Sequence, residues 1–140
     1  MKILVINGPN LNMLGKREPE IYGKDTLESI EKETTSWAQS NSVGLVWFQS
    51  NIEGEIVTRI QQACDESFDG IIINPGGYSH TSVAILDSLK LFPKPIIEVH
   101  ISNTNKREEF RNVKITAQAS TSVLEGFGKK GYILAIQSFL

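Results

Sequence analysis

Cysteine is almost missing from this chain: Cys64 is the only one, so no disulfide can close within it. It falls at helical spacing from Ile56 and Ile60, which reads as an inert buried thiol, and a redox role would lack a resolving partner. An excess of one charge is missing as well. Fourteen Lys and Arg against sixteen Asp and Glu leave a formal charge of -2, so there is no electrostatic case for nucleic acid or an anionic membrane. A small anion held by one or two placed cations is the partner this balance allows. No run approaches the ~18 apolar residues of a membrane helix. The N-terminal residues enter a core strand with no charged segment and apolar h-region ahead of it. A cytoplasmic location is expected.

Several catalytic signatures are absent too. There is no GxGxxG or P-loop spacing to hold a dinucleotide or nucleoside triphosphate. The only histidines, His80 and His100, lack neighbours at zinc-ligand spacing. Ser79 and Ser82 flank His80 without forming a G-x-S-x-G elbow. No lysine sits in a segment that reads as buried strand interior, which weakens a Schiff-base route. Acid–base chemistry without a cofactor is what remains.

What is present reads as one soluble domain spanning 1–140, with 40% hydrophobic and 21% charged residues. Apolar runs at 2–8, 45–49, 71–74 and 96–100 read as strands, and a fifth belongs within 113–125. Helical spacing occupies the first three intervals and the stretch after the last strand, while 102–111 reads as a polar loop. One helix runs to about residue 40 behind an Asp25/Glu28 capping box, and another spans about 54–66. A third starts near Thr81 and is closed by Pro93 and Pro95. The last is expected to place Ile133, Ile136 and Leu140 on one face. Strands apolar on both faces belong to a parallel sheet covered on each side. A strand–helix rhythm repeated five times predicts an α/β, flavodoxin-like doubly wound sheet of order 2-1-3-4-5, with helices on both faces.

The stretch 7–23, NGPNLNMLGKREPEIYG, stands out. Strand-to-helix connections usually take about 2–6 residues; this one is far longer. Gly8, Pro9, Gly15, Pro19 and Gly23 punctuate it, so neither helix nor strand is expected there. It leaves the carboxyl end of the first strand, where open α/β sheets bind ligands. Asn7, Asn10, Asn12, Arg17 and Tyr22 lie along it, and it reads as a lid over about 9–24 that carries part of an active site.

In the expected topology the carboxyl ends of the first, third and fourth strands lie side by side. That gathers Asn10 and Asn12, Asn74 with His80, and the run Glu98-Val99-His100-Ile101-Ser102. Glu98 and His100 are two apart on a strand and share a face. A carboxylate there can orient an imidazole and favour its protonated form, suiting it to donate a proton. On spacing alone, a sheet-end histidine satisfied by its neighbour is an equal reading. Arg17 and Tyr22 are equally open: either a solvated surface pair, or a guanidinium that favours the phenolate of a tyrosine base.

Taken together, the motifs NGPNLNMLG, REPEIYG, FQSN-EGE, GIIINPGGYSHTSVA, IEVHISN with REEFR, and GFG-x-x-GY resemble the type II 3-dehydroquinate dehydratases over most of the chain. The resemblance implies removal of water from 3-dehydroquinate to give 3-dehydroshikimate, through an enolate and with no metal, cofactor or imine. It assigns Tyr22 as the base, Arg17 as its activator, and Asn12 to the enolate. His100, oriented by Glu98, would be the acid. Asn74, His80 and Arg111 would hold substrate oxygens, while Ser102 and the backbone at Ile101 would bind the carboxylate. Asp87 would reach the site of a neighbouring copy in a dodecamer built of trimers. Two departures accompany the match: Gly77 stands where alanine is usual, and 115–125 is more polar than the family pattern.

Two readings compete. An FMN- or metabolite-binding module would carry a Ser/Thr/Gly-rich phosphate loop after the first strand, where this chain has Asn, Pro and Leu. A pure interaction domain leaves Tyr22, Arg17, Asn12, Glu98 and His100 unexplained as a set.

Overall fold

The computed structural model describes residues 1–16 and 18–140, with only the backbone of Tyr22. Five strands form one parallel sheet: β1 (Lys2–Asn7), β2 (Gly44–Gln49), β3 (Gly70–Asn74), β4 (Ile96–His100) and β5 (Ser122–Glu125). Their order is β2-β1-β3-β4-β5, as the apolar runs predict. The fold is α/β and flavodoxin-like.

Pleating sorts the strand residues onto two cores. Ile3 and Val5 face Leu27, Ile30, Ala38, Tyr132 and Ile136 on one side. Leu4 and Ile6 face Ile56, Ile60, Ile85 and Leu89 on the other. Each fully buried aliphatic side chain of this kind stabilises the fold by about 1.5–3 kcal/mol. Central strands buried on both faces explain why their sequences show no polar alternation.

The helices are α1 (Pro19–Tyr22), α2 (Leu27–Ser40), α3 (Glu53–Asp65), α4 (Val83–Leu89) and α5 (Lys130–Gln137). Among the described residues no helix is long and apolar enough to cross a membrane. Three details differ from what the sequence predicts. The capping box of α2 is Thr26 with Ser29, not Asp25 with Glu28: the Ser29 backbone N–H donates to Thr26 Oγ1 at 3.1 Å, and Thr26 N–H donates to Ser29 Oγ at 3.0 Å. Leu27 must be buried, so the helix opens one residue later, and Asp25 pairs instead with Lys129 at 3.4 Å.

The buried face of α5 is Gly131, Tyr132, Ala135 and Ile136, whereas Leu140 lies beyond the helix and is exposed. A Cβ on Gly131 would lie 3.1 Å from Val99, so the bare backbone lets α5 sit close on the sheet and sets the stripe one residue early. The link from β4 to β5, expected as a polar loop over 102–111, carries three 3-10 turns (Thr104–Lys106, Glu109–Asn112, Thr116–Ala119). Asn103 Oδ1 accepts from the Asn105 N–H at 3.1 Å, a local bond that competes with a helix, and the segment offers no helical apolar stripe. The long connection after β1, expected as a lid without helix or strand, is partly helical, with a 3-10 turn at Leu11–Met13 and α1 opening on Pro19, whose fixed φ suits a first helical position.

The strand order reverses between β1 and β3, whose registers align Asn7 with Asn74. There the chain leaves no room for a side chain. A Cβ on Gly8 would meet the Pro75 carbonyl oxygen at 2.3 Å, and Gly8 N–H donates to Asn74 O at 2.8 Å. Gly8→Ala is therefore expected to destabilise the fold by about 1–3 kcal/mol, the usual cost of overpacking. Chemical denaturation would show it, and an unchanged midpoint would disprove the close approach.

Candidate active site

β4 ends in the pair its spacing foretold. Glu98 and His100 are both buried, and Glu98 Oε2 lies 3.0 Å from His100 Nε2. With Nε2 turned to the carboxylate, His100 presents its other edge to a pocket at the carboxyl ends of the strands. Asn74, His80, Ile101, Ser102 and Arg111 line the same pocket, with Asn10 and Leu11 of the lid. Glu98 stands behind His100 and does not line it. The other oxygen of Glu98 accepts a hydrogen bond from the buried Thr116 hydroxyl.

His80 stacks on His100, with ring centroids 6.4 Å apart and planes at 23°. His80 Nδ1 lies 2.7 Å from the Val113 carbonyl, which can only accept. The Nδ1 proton is therefore fixed there, and Nε2 of the neutral ring is left as an acceptor. Burial holds His80 below the ordinary histidine value of 6.5, with the fields of His100, Arg111 and Lys114 acting in the same direction. The fold thus favours the neutral ring. Its contribution to stability is complete above the ordinary histidine range and is lost as pH falls through the lowered folded value. Nitrogen-detected NMR should show an Nδ1–H ring for His80 at neutral pH, titrating below an unfolded-state histidine. A midpoint above that reference would contradict the assignment.

Two guanidinium groups give the pocket positive character in a chain of net negative charge. Arg111 Nε donates to Glu108 at 2.6 Å and packs over the Phe110 ring at 5.0 Å, an arrangement that holds Glu108 below the usual carboxylate range. Arg107 also lines the pocket, with Nη1 3.4 Å from Ser102 Oγ and Nη2 3.7 Å from Glu18. The sequence reading did not single out Arg107, although its place five residues after Ser102 in the same polar loop was the available signal.

Asn74 reaches the pocket from a buried amide–phenol network, whose other members Asn7 and Tyr132 do not line it and which the sequence does not disclose. Tyr132 donates to Asn7 Oδ1 at 2.5 Å and accepts from Asn74 Nδ2 at 3.4 Å. Burial pushes the Tyr132 phenol upward, so it remains a neutral donor. Asn74 Oδ1 accepts from Gly76 N–H at 3.1 Å, which fixes the orientation of its amide beneath the pocket.

The remaining expected residues are less gathered. Asn12 lies in the lid turn, exposed, with Oδ1 3.5 Å from Gln49 Nε2, and its neighbours Asn10 and Leu11 line the pocket instead. Asp87 is exposed on α4 and is not among the lining residues. Arg17 and the side chain of Tyr22 lie outside the described residues. Among those described, no three His, Cys, Asp or Glu side chains are grouped to hold a metal ion. Gly77 has open space around its Cα, so the usual alanine would fit there. The unusually polar segment has partners: Lys114 pairs with Glu125 at 3.1 Å, and Glu125 also accepts from Thr104 at 3.0 Å.

The family model for "Dehydroquinase class II" matches residues 1–140. A 3-dehydroquinate dehydratase of Aliarcobacter butzleri is 57% identical over 136 residues, covering 97% of this chain and 82% of that protein. One from Clostridium botulinum is 50% identical over 138 residues, with 99% and 93% covered. Among solved structures, the type II dehydroquinase of Butyrivibrio crossotus superposes with a TM-score of 0.97 at 47% identity, covering 99% of this chain and 97% of that one. That of Propionibacterium acnes gives 0.94 at 39% identity, with 98% and 94% covered. With its whole length matched and the strand-end pocket in place, this chain belongs to the class II dehydroquinase family.

Proposed function

We propose that this protein is a cofactor-independent dehydratase that converts 3-dehydroquinate to 3-dehydroshikimate by anti elimination of water through an enolate. The observation that carries the reading is the buried Glu98–His100 pair opening on a pocket lined by Asn74, His80, Ser102, Arg107 and Arg111. Tyr22, activated by Arg17, takes the proton from C2. The electron pair moves onto the C3 carbonyl oxygen, and Asn12 stabilises the resulting enolate. As the enolate collapses, the C1–O bond breaks and His100 delivers a proton to the departing hydroxyl, releasing water.

His80, with an acceptor nitrogen facing inward, takes a hydrogen bond from a substrate hydroxyl. Asn74 and Arg111 hold further oxygens, while Ser102 and the backbone at Ile101 receive the carboxylate. Base and acid on opposite faces of a bound ring turn encounter into geometry, and each positioned proton transfer contributes roughly 10²–10⁴-fold. Closure of a lid over 9–24 excludes water and strengthens the Arg17–Tyr22 interaction. The assembly consistent with this reading is a dodecamer of trimers working in the cytoplasm, with Asp87 of one copy near the site of the next.

The test is the ultraviolet absorbance of the conjugated enone, followed after 3-dehydroquinate is added to the protein in the presence of a chelator. Turnover with the chelator present is the expected result. A folded protein that forms no enone would refute the reading.

A further inference from the structure

The pair that would deliver the proton has a third member, supplied by the polar segment that leads into β5. Glu98 is fully buried, and a buried carboxylate needs its oxygens satisfied. One oxygen meets His100 Nε2 at 3.0 Å. The other accepts from the hydroxyl of Thr116, itself fully buried at the start of the turn Thr116–Ala119. The strand neighbours of Glu98 are Ile73 and Val123, which offer no side-chain donor. Thr116 therefore settles which way the carboxylate plane faces, and that plane settles where His100 points. Three residues earlier the same segment supplies the Val113 carbonyl that fixes the proton of His80.

We propose that Thr116 is a positioning residue of the dehydration site, holding Glu98 so that its second oxygen fixes the imidazole of His100. The inference rests on the proposed dehydration for its kinetic readout, but the contact itself can be read without substrate. A second-layer donor of this kind orients the acid without touching the reactant, so its loss lowers kcat and leaves KM nearly alone.

Thr116→Val keeps the volume and removes the hydroxyl, whereas Thr116→Ser keeps the hydroxyl. The Val variant is expected to lose about 10- to 100-fold in kcat, the scale of one hydrogen bond to a charged group, with KM within about twofold. The Ser variant should stay within about threefold of wild type in kcat. In a Glu98→Gln background, Thr116→Val should cost little more, because Thr116 acts through that carboxylate. Independently of turnover, the downfield ring N–H signal of His100 should move in the Val variant and stay in place in the Ser variant.

Wild-type kcat in Thr116→Val, equal losses in the Val and Ser variants, or an unmoved His100 signal would each overturn the proposal. If the Val variant fails to fold, Thr116→Ala is measured in the same way; failure of both to fold would assign Thr116 a purely structural role. Absence of enone formation by wild type is a separate result, which would refute the dehydration and leave the His100 signal to decide the contact.

Discussion

Tyr22→Phe should abolish measurable turnover of 3-dehydroquinate while leaving substrate affinity within a few-fold of wild type. The phenyl ring has nearly the same volume but no oxygen to take the C2 proton, and the proposed route gives that proton to no other residue. Removing a positioned proton acceptor is expected to cost roughly 10²–10⁴-fold in kcat. The cost should fall on kcat because the hydroxyl does its work as the C–H bond breaks, an interaction made in the transition state. Parallel measurement of turnover and of ligand-induced thermal stabilisation would separate the two effects. Near wild-type kcat in Tyr22→Phe would remove the tyrosine from its assigned role and leave the family's chemistry to be carried by another group.

Glu98→Gln should be nearly as damaging, for a different reason. The amide is almost the same size and can still accept from Thr116 or from His100, so the sheet end stays packed. What it loses is the negative charge that supports an imidazolium in a buried place, and its NH2 introduces a donor that competes for the ring. The comparable carboxylate-to-amide change beside the histidine of the serine protease triad costs about 10⁴ in kcat, a worked case in general enzymology. A loss of roughly 10²–10⁴-fold is expected here, with the melting temperature shifted by only a few degrees. If Glu98→Gln turned over at more than about a tenth of the wild-type rate, His100 would not depend on its neighbour for the proton.

How far a feature is legible in the sequence follows the range over which its residues act. Ile71-Ile72-Ile73 and Ile96-Ile97 declare strands covered on both faces because burial is recorded in each residue's own polarity. Glu98 and His100 are legible as a pair because a strand's period of two is local geometry. Thr116 is 18 residues from the carboxylate it serves, and Tyr132 is 125 from Asn7, so no spacing rule reaches either contact. The start of α2 was placed one residue early for a related reason. Asp25 and Thr26 are both good capping residues, and the burial of Leu27 in the tertiary core decides between them. The lid was legible as an unusual connection, whereas its short helical turns depend on local dihedral choices at Asn10, Glu18 and Gly23 that residue identity constrains only weakly.

The buried Tyr132 behind the pocket also has a bearing on how the protein reaches its working form. β1 and β3 can pair from the first half of the chain, and that pairing alone aligns Asn7 with Asn74. The phenol that joins the two amides arrives only with α5, after the chain has closed on itself across 125 residues. Closures at such separation are the slow events in folding. A partly folded form with a complete central sheet would thus lack the phenol that links the Asn7 amide to Asn74 beneath the pocket. Recovery of activity during refolding should therefore trail recovery of strand structure, and an activity assay would report arrival of the last helix.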